Sequence, residues 1–128
     1  MIKVGTNAAA TCHCGSIQLN IFLPKRLDRI IRCTCSMCSK AKGVGMLCVP
    51  IKDVSVSDSS NSMKKYFFNK THSPHFFCDV CGIHTHHKSR ATPNKFCINV
   101  SCINGFEFKN FKNKIIEFDG KNHPKDQK

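Results

Sequence analysis

The sequence predicts a single all-β domain, and three observations support that fold class. Short segments alternate apolar and polar residues with a period of two, which is the pattern of half-buried strands. Turn residues separate these segments, and no segment carries a convincing helical period. The chain has 128 residues with ten phenylalanines, one tyrosine and no tryptophan, so we expect one modest core built on Phe, Ile and Val.

In the first third of the chain, predicted strands alternate with cysteine motifs. Residues 17–21, Ile-Gln-Leu-Asn-Ile, alternate strictly and predict a strand that ends at Pro24. Residues 27–33 predict a second strand, which leads directly into a group of cysteines. Residues 36–42 hold too few apolar side chains for an independent helix, so we expect one helical turn there before Gly43.

The rest of the chain predicts further short strands and one polar turn. Residues 58–62, Asp-Ser-Ser-Asn-Ser, predict the turn. The last residues have the composition of a polar tail, so we place the domain at 1–120 and the tail at 121–128. The remaining strands are expected at 46–49, 54–57, 64–68, 75–78, 96–103 and 114–118.

Seven cysteines lie in three short motifs, and their spacing predicts metal binding. Cys-x-Cys, Cys-x-Cys-x-x-Cys and Cys-x-x-Cys spacings let neighbouring thiolates point at a common centre. Four thiolates close a tetrahedral zinc site, whereas three leave one position open for water or substrate. Seven ligands therefore suggest two zinc ions per chain, one in a closed structural site and one in an open site. The cysteines are Cys12, Cys14, Cys33, Cys35, Cys38, Cys78 and Cys81.

We assign the first and last of these motifs to one structural zinc site. Each ends in a glycine, Gly15 or Gly82, which accepts the positive φ that such tight turns often require. A redox dithiol is the alternative for a Cys-x-x-Cys-Gly sequence. That dithiol normally opens a helix, which residues 82–86 do not resemble. The predicted ligands are Cys12, Cys14, Cys78 and Cys81.

The central motif, formed by Cys33, Cys35 and Cys38, predicts the second zinc site. Zinc held by three thiolates would lower the pKa of a thiol or water at its fourth position, or polarise a carbonyl. The alternative is another closed structural site, completed by a nearby histidine or by Cys102. Spacing alone leaves both alternatives open.

The other three cysteines carry weaker signals. Cys48 and Cys97 lie in apolar strands and are expected to be small buried hydrophobes. Cys102 receives no firm role, because its strand can bring it near either site.

The histidines receive no firm role either. His13 lies between two predicted ligands and is expected to point away from the metal. His84, His86 and His87 favour a surface strand of polar residues over a metal role. His123 has only a weak case on its own.

The chain is strongly basic, with a formal net charge of +12. Seven bound thiolates and two Zn²⁺ would leave about +9. An anionic partner, such as nucleic acid, an acidic protein or glutathione, is one interpretation of this charge. The lysines are scattered without a dense block, so a solvated basic surface is favoured and nucleic acid is not.

Cysteine content also bears on the cellular compartment. Ten cysteines would suit a secreted disulfide scaffold. However, residues 1–7 have no apolar signal-peptide core, and no apolar run approaches the roughly 18 residues that cross a bilayer. We therefore expect a reduced cytoplasmic protein that binds zinc and no membrane.

Together these motifs resemble the glutathione-dependent formaldehyde-activating enzyme family, which also contains the centromere protein V-like proteins. The resemblance implies an Mss4-like, zinc-stabilised β-sheet fold with two zinc sites. It implies the same closed four-cysteine set and the same three-cysteine set that the spacing suggests. The matching segments follow the family order over nearly the whole chain and are residues 11–15, 33–38, 77–82, 98–102 and 118–124.

The resemblance also implies an activity. Family members are carbon–sulfur lyases in which glutathione adds to formaldehyde to give S-hydroxymethylglutathione, or the reverse. Cys33, Cys35 and Cys38 would act in this chemistry through their bound zinc. Lys40 or Lys42 could meet a glutathione carboxylate, although solvated lysines are the favoured interpretation.

A zinc-stapled binding module for an acidic protein or nucleic acid is the rival hypothesis. Spacing places no carboxylate or histidine firmly at the central motif, which favours this rival. Asp28 lies near the motif in sequence but is expected to be a surface charge.

Overall fold

The computed structural model describes residues 7–23, 30–67, 73–107, 109 and 114–122. Within these ranges the chain forms ten strands and one α-helix, which confirms the predicted all-β class. Short 3₁₀ turns follow at Ile51–Asp53, Val100–Cys102 and Gly120–Asn122. The elements are β1 Asn7–Thr11, β2 Gln18–Phe22, β3 Ile30–Cys33, α1 Ser36–Ala41, β4 Met46–Pro50, β5 Val54–Ser57, β6 Met63–Phe67, β7 Pro74–Cys78, β8 His84–Lys88, β9 Lys95–Asn99 and β10 Ile115–Phe118.

The strands form two sheets. The small sheet has the order β1-β2-β5 and is antiparallel. The large sheet has seven strands in the order β10-β3-β4-β9-β8-β7-β6. Its neighbours are antiparallel except for β10 and β3, which run parallel. The large sheet therefore brings strands from the middle and the end of the chain beside the cysteine motif that follows β3.

The main core joins the two sheets. In β2 the side chains alternate as predicted, with Leu19 and Ile21 buried and their neighbours exposed. These residues pack in one cluster with Val49 of β4 and Ile98 of β9. Fully burying a Leu or Ile side chain contributes about 1.5–3 kcal/mol. The small sheet is therefore held against the large one chiefly by apolar contact.

A second, smaller cluster lies on the opposite face of the large sheet. Because successive side chains of a strand point to opposite faces, Leu47 and Val49 of β4 join the main core, whereas Met46 packs with Cys38 and Cys97. Both faces of β4 and β9 are thus covered. Cys38 of the central cysteine motif belongs to this second cluster, and Cys33 and Cys35 pack against it.

Several element boundaries differ from those predicted. Strand β1, whose sequence Asn-Ala-Ala-Ala-Thr shows no alternation, was not predicted and is defined by its pairing with β2. The strand expected at 96–103 ends at Asn99, where the Asn99 side chain accepts a hydrogen bond from Ser101 N at 3.2 Å and begins a 3₁₀ turn. Some predicted features lie outside the described residues, namely Pro24, Leu27, Asp28, Phe68 and His123.

The expectation that His84, His86 and His87 form a surface strand is wrong. Their strand, β8, lies between β7 and β9 inside the large sheet, and both His86 and His87 are buried. The imidazole of His86 stacks on Phe76 with ring centroids 4.5 Å apart, and Thr85 Oγ1 lies 2.8 Å from its Nδ1. Aromatic stacking and hydrogen bonding therefore compensate the His86 ring for its burial.

Across the described part of the chain, we find no helix with the length and apolar character needed to traverse a bilayer.

Candidate metal centres and the adjoining cavity

The first and last cysteine motifs come together in space. The Sγ atoms of Cys12, Cys14, Cys78 and Cys81 all lie within 4.8 Å of one another. Cys14 Sγ is 3.7 Å from Cys12 Sγ and 3.6 Å from Cys78 Sγ. Four sulfurs each about 2.3 Å from one tetrahedral ion lie roughly 3.8 Å apart. The donor set and its spacing therefore fit a metal held by four thiolates.

Tight turns aim these sulfurs at their common centre. Gly15 has φ +83° and Gly82 has φ +79°, a backbone conformation that favours glycine. Each glycine N–H closes its turn on the first cysteine of the motif, with Gly15 N donating to Cys12 O at 3.2 Å and Gly82 N to Cys78 O at 2.8 Å. Local backbone geometry therefore sets the spacing within each motif.

Backbone amides also support negative charge on these sulfurs. Ile17 N donates to Cys12 Sγ at 3.3 Å, and Val80 N donates to Cys78 Sγ at 3.4 Å. Burial raises the pKa of Cys81, but hydrogen bonds with the backbone of Cys14 and Ile83 outweigh burial and lower it to about 6. Hydrogen bonds with Ser16 likewise lower the pKa of Cys14, whereas burial raises the pKa of Cys12. Cys14 and Cys81 therefore favour the thiolate, which is the form that binds metal.

The central motif forms a second group of sulfurs, at the junction of β3 and α1. The Sγ atoms of Cys33, Cys35 and Cys38 lie within 4.8 Å of one another. Cys35 caps the helix, its Sγ accepting a hydrogen bond from Cys38 N at 3.2 Å. In the described part of the chain, no fourth Cys, His, Asp or Glu joins this group. These three sulfurs can hold a metal ion, and they supply three ligand atoms to it.

Hydrogen bonds among the three sulfurs distribute their charge unequally. Hydrogen bonds from Cys33 and Cys38 lower the pKa of Cys35 strongly. The same contacts, together with burial, raise the pKa of Cys38. Without a metal, the negative charge of the trio is therefore concentrated on Cys35.

A cavity of about 230 Å³ adjoins this trio. It lies against the second cluster, so that strands β3, β4, β7, β8 and β9 all contribute to its wall. Side chains of mixed character surround it, including Met46, Cys48, His75, His87, Ser89, Arg90, Cys97 and Phe118. The three-sulfur group therefore faces a space that a small molecule can enter.

Lys42 is buried beside this cavity, so the expectation that it is solvated is wrong. It is only 2% exposed, and its backbone N–H donates to Cys38 O at 2.8 Å at the end of α1. Its Nζ lies 3.3 Å from His75 Nδ1, and the His75 ring stacks on His87 with centroids 4.3 Å apart. Burial lowers the pKa of Lys42. Lys40 is exposed, as expected.

The other three cysteines lie in two different places. Cys102 is buried, its Sγ donates to His84 O at 3.7 Å, and burial raises its pKa to about 11. It is not part of either sulfur group within the described residues. Cys97 is buried as expected, whereas Cys48 is only half-buried, and both line the cavity.

Sequence reasoning missed two contributors to the cavity, His75 and Gly120. His75 was treated only as part of an aromatic strand. Gly120 follows β10, and its N–H donates to Thr34 Oγ1 at 3.1 Å, while Thr34 N donates to Phe118 O at 3.0 Å. These contacts bring the end of β10 against the central motif. The signal for Gly120 was its place in the segment 118–124, which resembles the family but was given no role at the site.

Gly120→Ala is expected to disrupt the three-sulfur group while leaving the four-sulfur group intact. An added Cβ would overlap Cys33 Sγ and would lie 2.8 Å from Cys35 N. We expect the metal content to fall by about one ion per chain, as measured by inductively coupled plasma mass spectrometry. Gly43→Ala is the matched control, since its Cβ would meet only Ser39 O at 3.6 Å. Equal metal content in both variants would contradict this prediction.

His86 is expected to make unfolding depend on pH. Burial and the nearby charge of Lys42 lower its pKa from 6.5 to about 4. As the pH falls below 6.5, His86 is protonated in the unfolded chain but stays neutral in the folded protein until the pH approaches 4. The free energy of unfolding therefore decreases over this pH range. The free energy of unfolding should fall by about 2 kcal/mol from this group between pH 6.5 and roughly pH 5.

Denaturant titrations of the protein and of His86→Phe at both pH values measure this effect. The variant keeps the ring packing against Phe76 but has no group to protonate, so its loss of stability should be smaller by the stated amount. Any metal loss at low pH is common to both proteins. Identical pH dependence would show that the His86 ring is not the source.

The fold and its sites define a class: a two-sheet β protein with two thiolate groups suited to metal, one of them open to a cavity. The chain belongs to the glutathione-dependent formaldehyde-activating enzyme family, whose family model matches residues 7–118. This confirms the family resemblance seen in the sequence.

A solved structure has a similar fold. A Rhodobacter sphaeroides protein of known crystal structure is 27% identical, and the match covers 86% of this chain and 99% of that one with a TM-score of 0.76. Among curated proteins, none matches the chain significantly.

Proposed function

We propose that the chain is a zinc-dependent carbon–sulfur lyase that acts on glutathione and an aldehyde. The reaction is the addition of glutathione to formaldehyde to give S-hydroxymethylglutathione, or its reverse, or the formation of a related thiol adduct. One observation carries the proposal: three convergent sulfurs, with no fourth ligand among the described residues, adjoin a cavity. Family membership supplies the substrate class.

The two sulfur groups receive different roles in this proposal. Cys12, Cys14, Cys78 and Cys81 would hold a structural zinc, because four thiolates complete its tetrahedral shell. Cys33, Cys35 and Cys38 would hold the second zinc. When bound there, zinc supplies Lewis acidity that lowers the pKa of a thiol at its remaining position.

The dimensions of the cavity indicate how the substrates are placed. A volume of about 230 Å³ is below the roughly 300–1,000 Å³ of pockets that enclose drug-sized ligands. The cavity therefore admits the thiol end of glutathione together with a one-carbon aldehyde, and the rest of the tripeptide stays outside. Holding thiol and aldehyde side by side supplies much of the rate gain, because the uncatalysed addition is already easy.

Two buried side chains, Lys42 and His87, lie beside or in the wall of this cavity. Burial lowers the pKa of Lys42, and negative charge on the sulfurs of Cys38, Cys97 and Cys35 opposes that shift, so thiolates in the three-sulfur group would stabilise a charged Lys42. His87 lines the cavity and is buried, and its Nδ1 is a buried atom without a hydrogen-bond partner among the described residues. We therefore expect His87 to shape the cavity wall and not to bind the thiol–aldehyde adduct through Nδ1.

The experiment that tests this function has two parts. Metal analysis of the purified reduced protein should find about two zinc ions per chain. Two-dimensional exchange NMR on equilibrated glutathione and formaldehyde should show faster interconversion of glutathione and its hydroxymethyl adduct when the protein is added. Protein stripped of metal is the control for buffer and surface effects. Full zinc occupancy without any acceleration would favour the non-catalytic binding module.

A further inference from the structure

A pair of thiols lies outside both sulfur groups. Cys48 of β4 and Cys97 of β9 are direct partners in the antiparallel register of the large sheet. Their Sγ atoms are 3.1 Å apart, and both side chains line the cavity. The lyase reaction proposed above uses neither of them.

The backbone already places these residues at disulfide distance. Directly opposed residues of an antiparallel pair have Cα atoms about 4.5 or 5.5 Å apart, and both values lie inside the roughly 4.4–6.8 Å range of disulfides. The sulfurs must approach by about 1 Å to reach a bond length of about 2.05 Å. Side-chain rotation can supply that movement, so oxidation requires no change of strand register.

Access to the pair is unequal. Cys48 is half-buried in the cavity wall, whereas Cys97 is 4% exposed. A molecule that enters the cavity therefore meets Cys48 first. Cys97 is placed to attack Cys48 Sγ and to displace a group that has become attached to it, because its sulfur is the close neighbour on the adjacent strand.

We propose that Cys48 and Cys97 form a redox-active dithiol that exchanges with low-molecular-weight disulfides of the glutathione class and closes to a reversible cross-strand disulfide. The choice of a glutathione-class disulfide rests on the substrate class proposed above, whereas formation of the Cys48–Cys97 bond does not depend on the lyase reaction. The proposal predicts a covalent bond between Cys48 Sγ and Cys97 Sγ, which can be detected directly.

The exchange balances in two steps. The Cys48 thiolate attacks one sulfur of glutathione disulfide, breaks that S–S bond and releases one glutathione, which takes up the proton that Cys48 has lost. Cys97 then loses its proton, attacks Cys48 Sγ and displaces the second glutathione, which takes up that proton. The cysteine pair is oxidised by two electrons, and one glutathione disulfide is reduced to two thiols.

The test uses zinc-loaded protein equilibrated in defined ratios of glutathione to glutathione disulfide. Remaining thiols are trapped with N-ethylmaleimide, and disulfide-linked peptides are mapped by mass spectrometry. We expect one peptide pair joined through Cys48 and Cys97, reversed by excess glutathione. If these two thiols are alkylated separately at every ratio, or if bridges form instead among Cys33, Cys35 and Cys38, the proposal is overturned.

Two single variants test the order of attack. Cys97→Ser should accumulate one glutathionyl group on Cys48, because the resolving thiol is missing. Cys48→Ser should react at least about tenfold more slowly, because Cys97 is buried. Cys102→Ser changes a buried cysteine outside the cavity and should still form the Cys48–Cys97 bridge. Equal glutathionylation of the first two variants would contradict the assigned order. Mapping of the unaltered protein remains decisive where a variant fails to fold.

Discussion

Cys78→Ser is expected to leave the chain largely unfolded. Cys78 is fully buried at the end of β7, and its Sγ lies 3.6 Å from that of Cys14, sixty-four positions away in sequence. A structural zinc contributes on the order of 10 kcal/mol in small metal-dependent domains. Small domains as a whole are stable by only about 5–15 kcal/mol. Loss of one ligand should therefore remove the cooperative thermal transition seen by circular dichroism.

Cys102→Ser is the control for this result. Cys102 is also a buried cysteine and packs in the same core cluster as Cys78, but among the described residues it belongs to neither sulfur group, and its Sγ donates to His84 O. A serine hydroxyl can keep that contact, so the variant should fold and retain its metal. If Cys78→Ser unfolds at the same temperature as this control, the four-sulfur group does not hold a structural metal.

Cys35→Ser is expected to abolish activity while the fold survives. Serine is itself a good helix N-cap, so α1 can keep the hydrogen bond that Cys38 N now donates to Cys35 Sγ. The loss therefore falls on the three-sulfur group. Changes to groups that merely support metal ligands cost about 10–100-fold in affinity or activity. Removal of a ligand should lower the catalysed exchange rate by more than about 100-fold.

The measurements are zinc content, the NMR exchange rate and the thermal midpoint of the same preparation. Zinc should fall from about two ions to about one per chain, with a thermal midpoint close to that of the unaltered protein. Ser36→Ala changes an exposed neighbour in the same helix and should leave all three quantities unchanged. Retention of both zinc ions in Cys35→Ser would show that the central motif is not the second metal site.

The strands that were predicted from sequence are those whose own pattern indicates their burial. Leu19 and Ile21 alternate with exposed residues, and β2 is half-buried as that pattern requires. Strand β8 shows the opposite case. Its histidines read as polar surface because nothing local indicates that β7 and β9 flank it or that Phe76 covers the His86 ring. Burial of a polar strand depends on neighbours that are distant in the chain.

The local sequence sets how the sulfurs within each cysteine motif converge, because spacing and turn glycines such as Gly15 and Gly82 control the path of the backbone there. It also determined the β class, because a period of two is a local property. Strand order and register decided the rest. They put Gly120 against Cys33, bury Lys42 beside His75 and set Cys48 opposite Cys97. These contacts join residues far apart in the chain, and no local pattern encodes them.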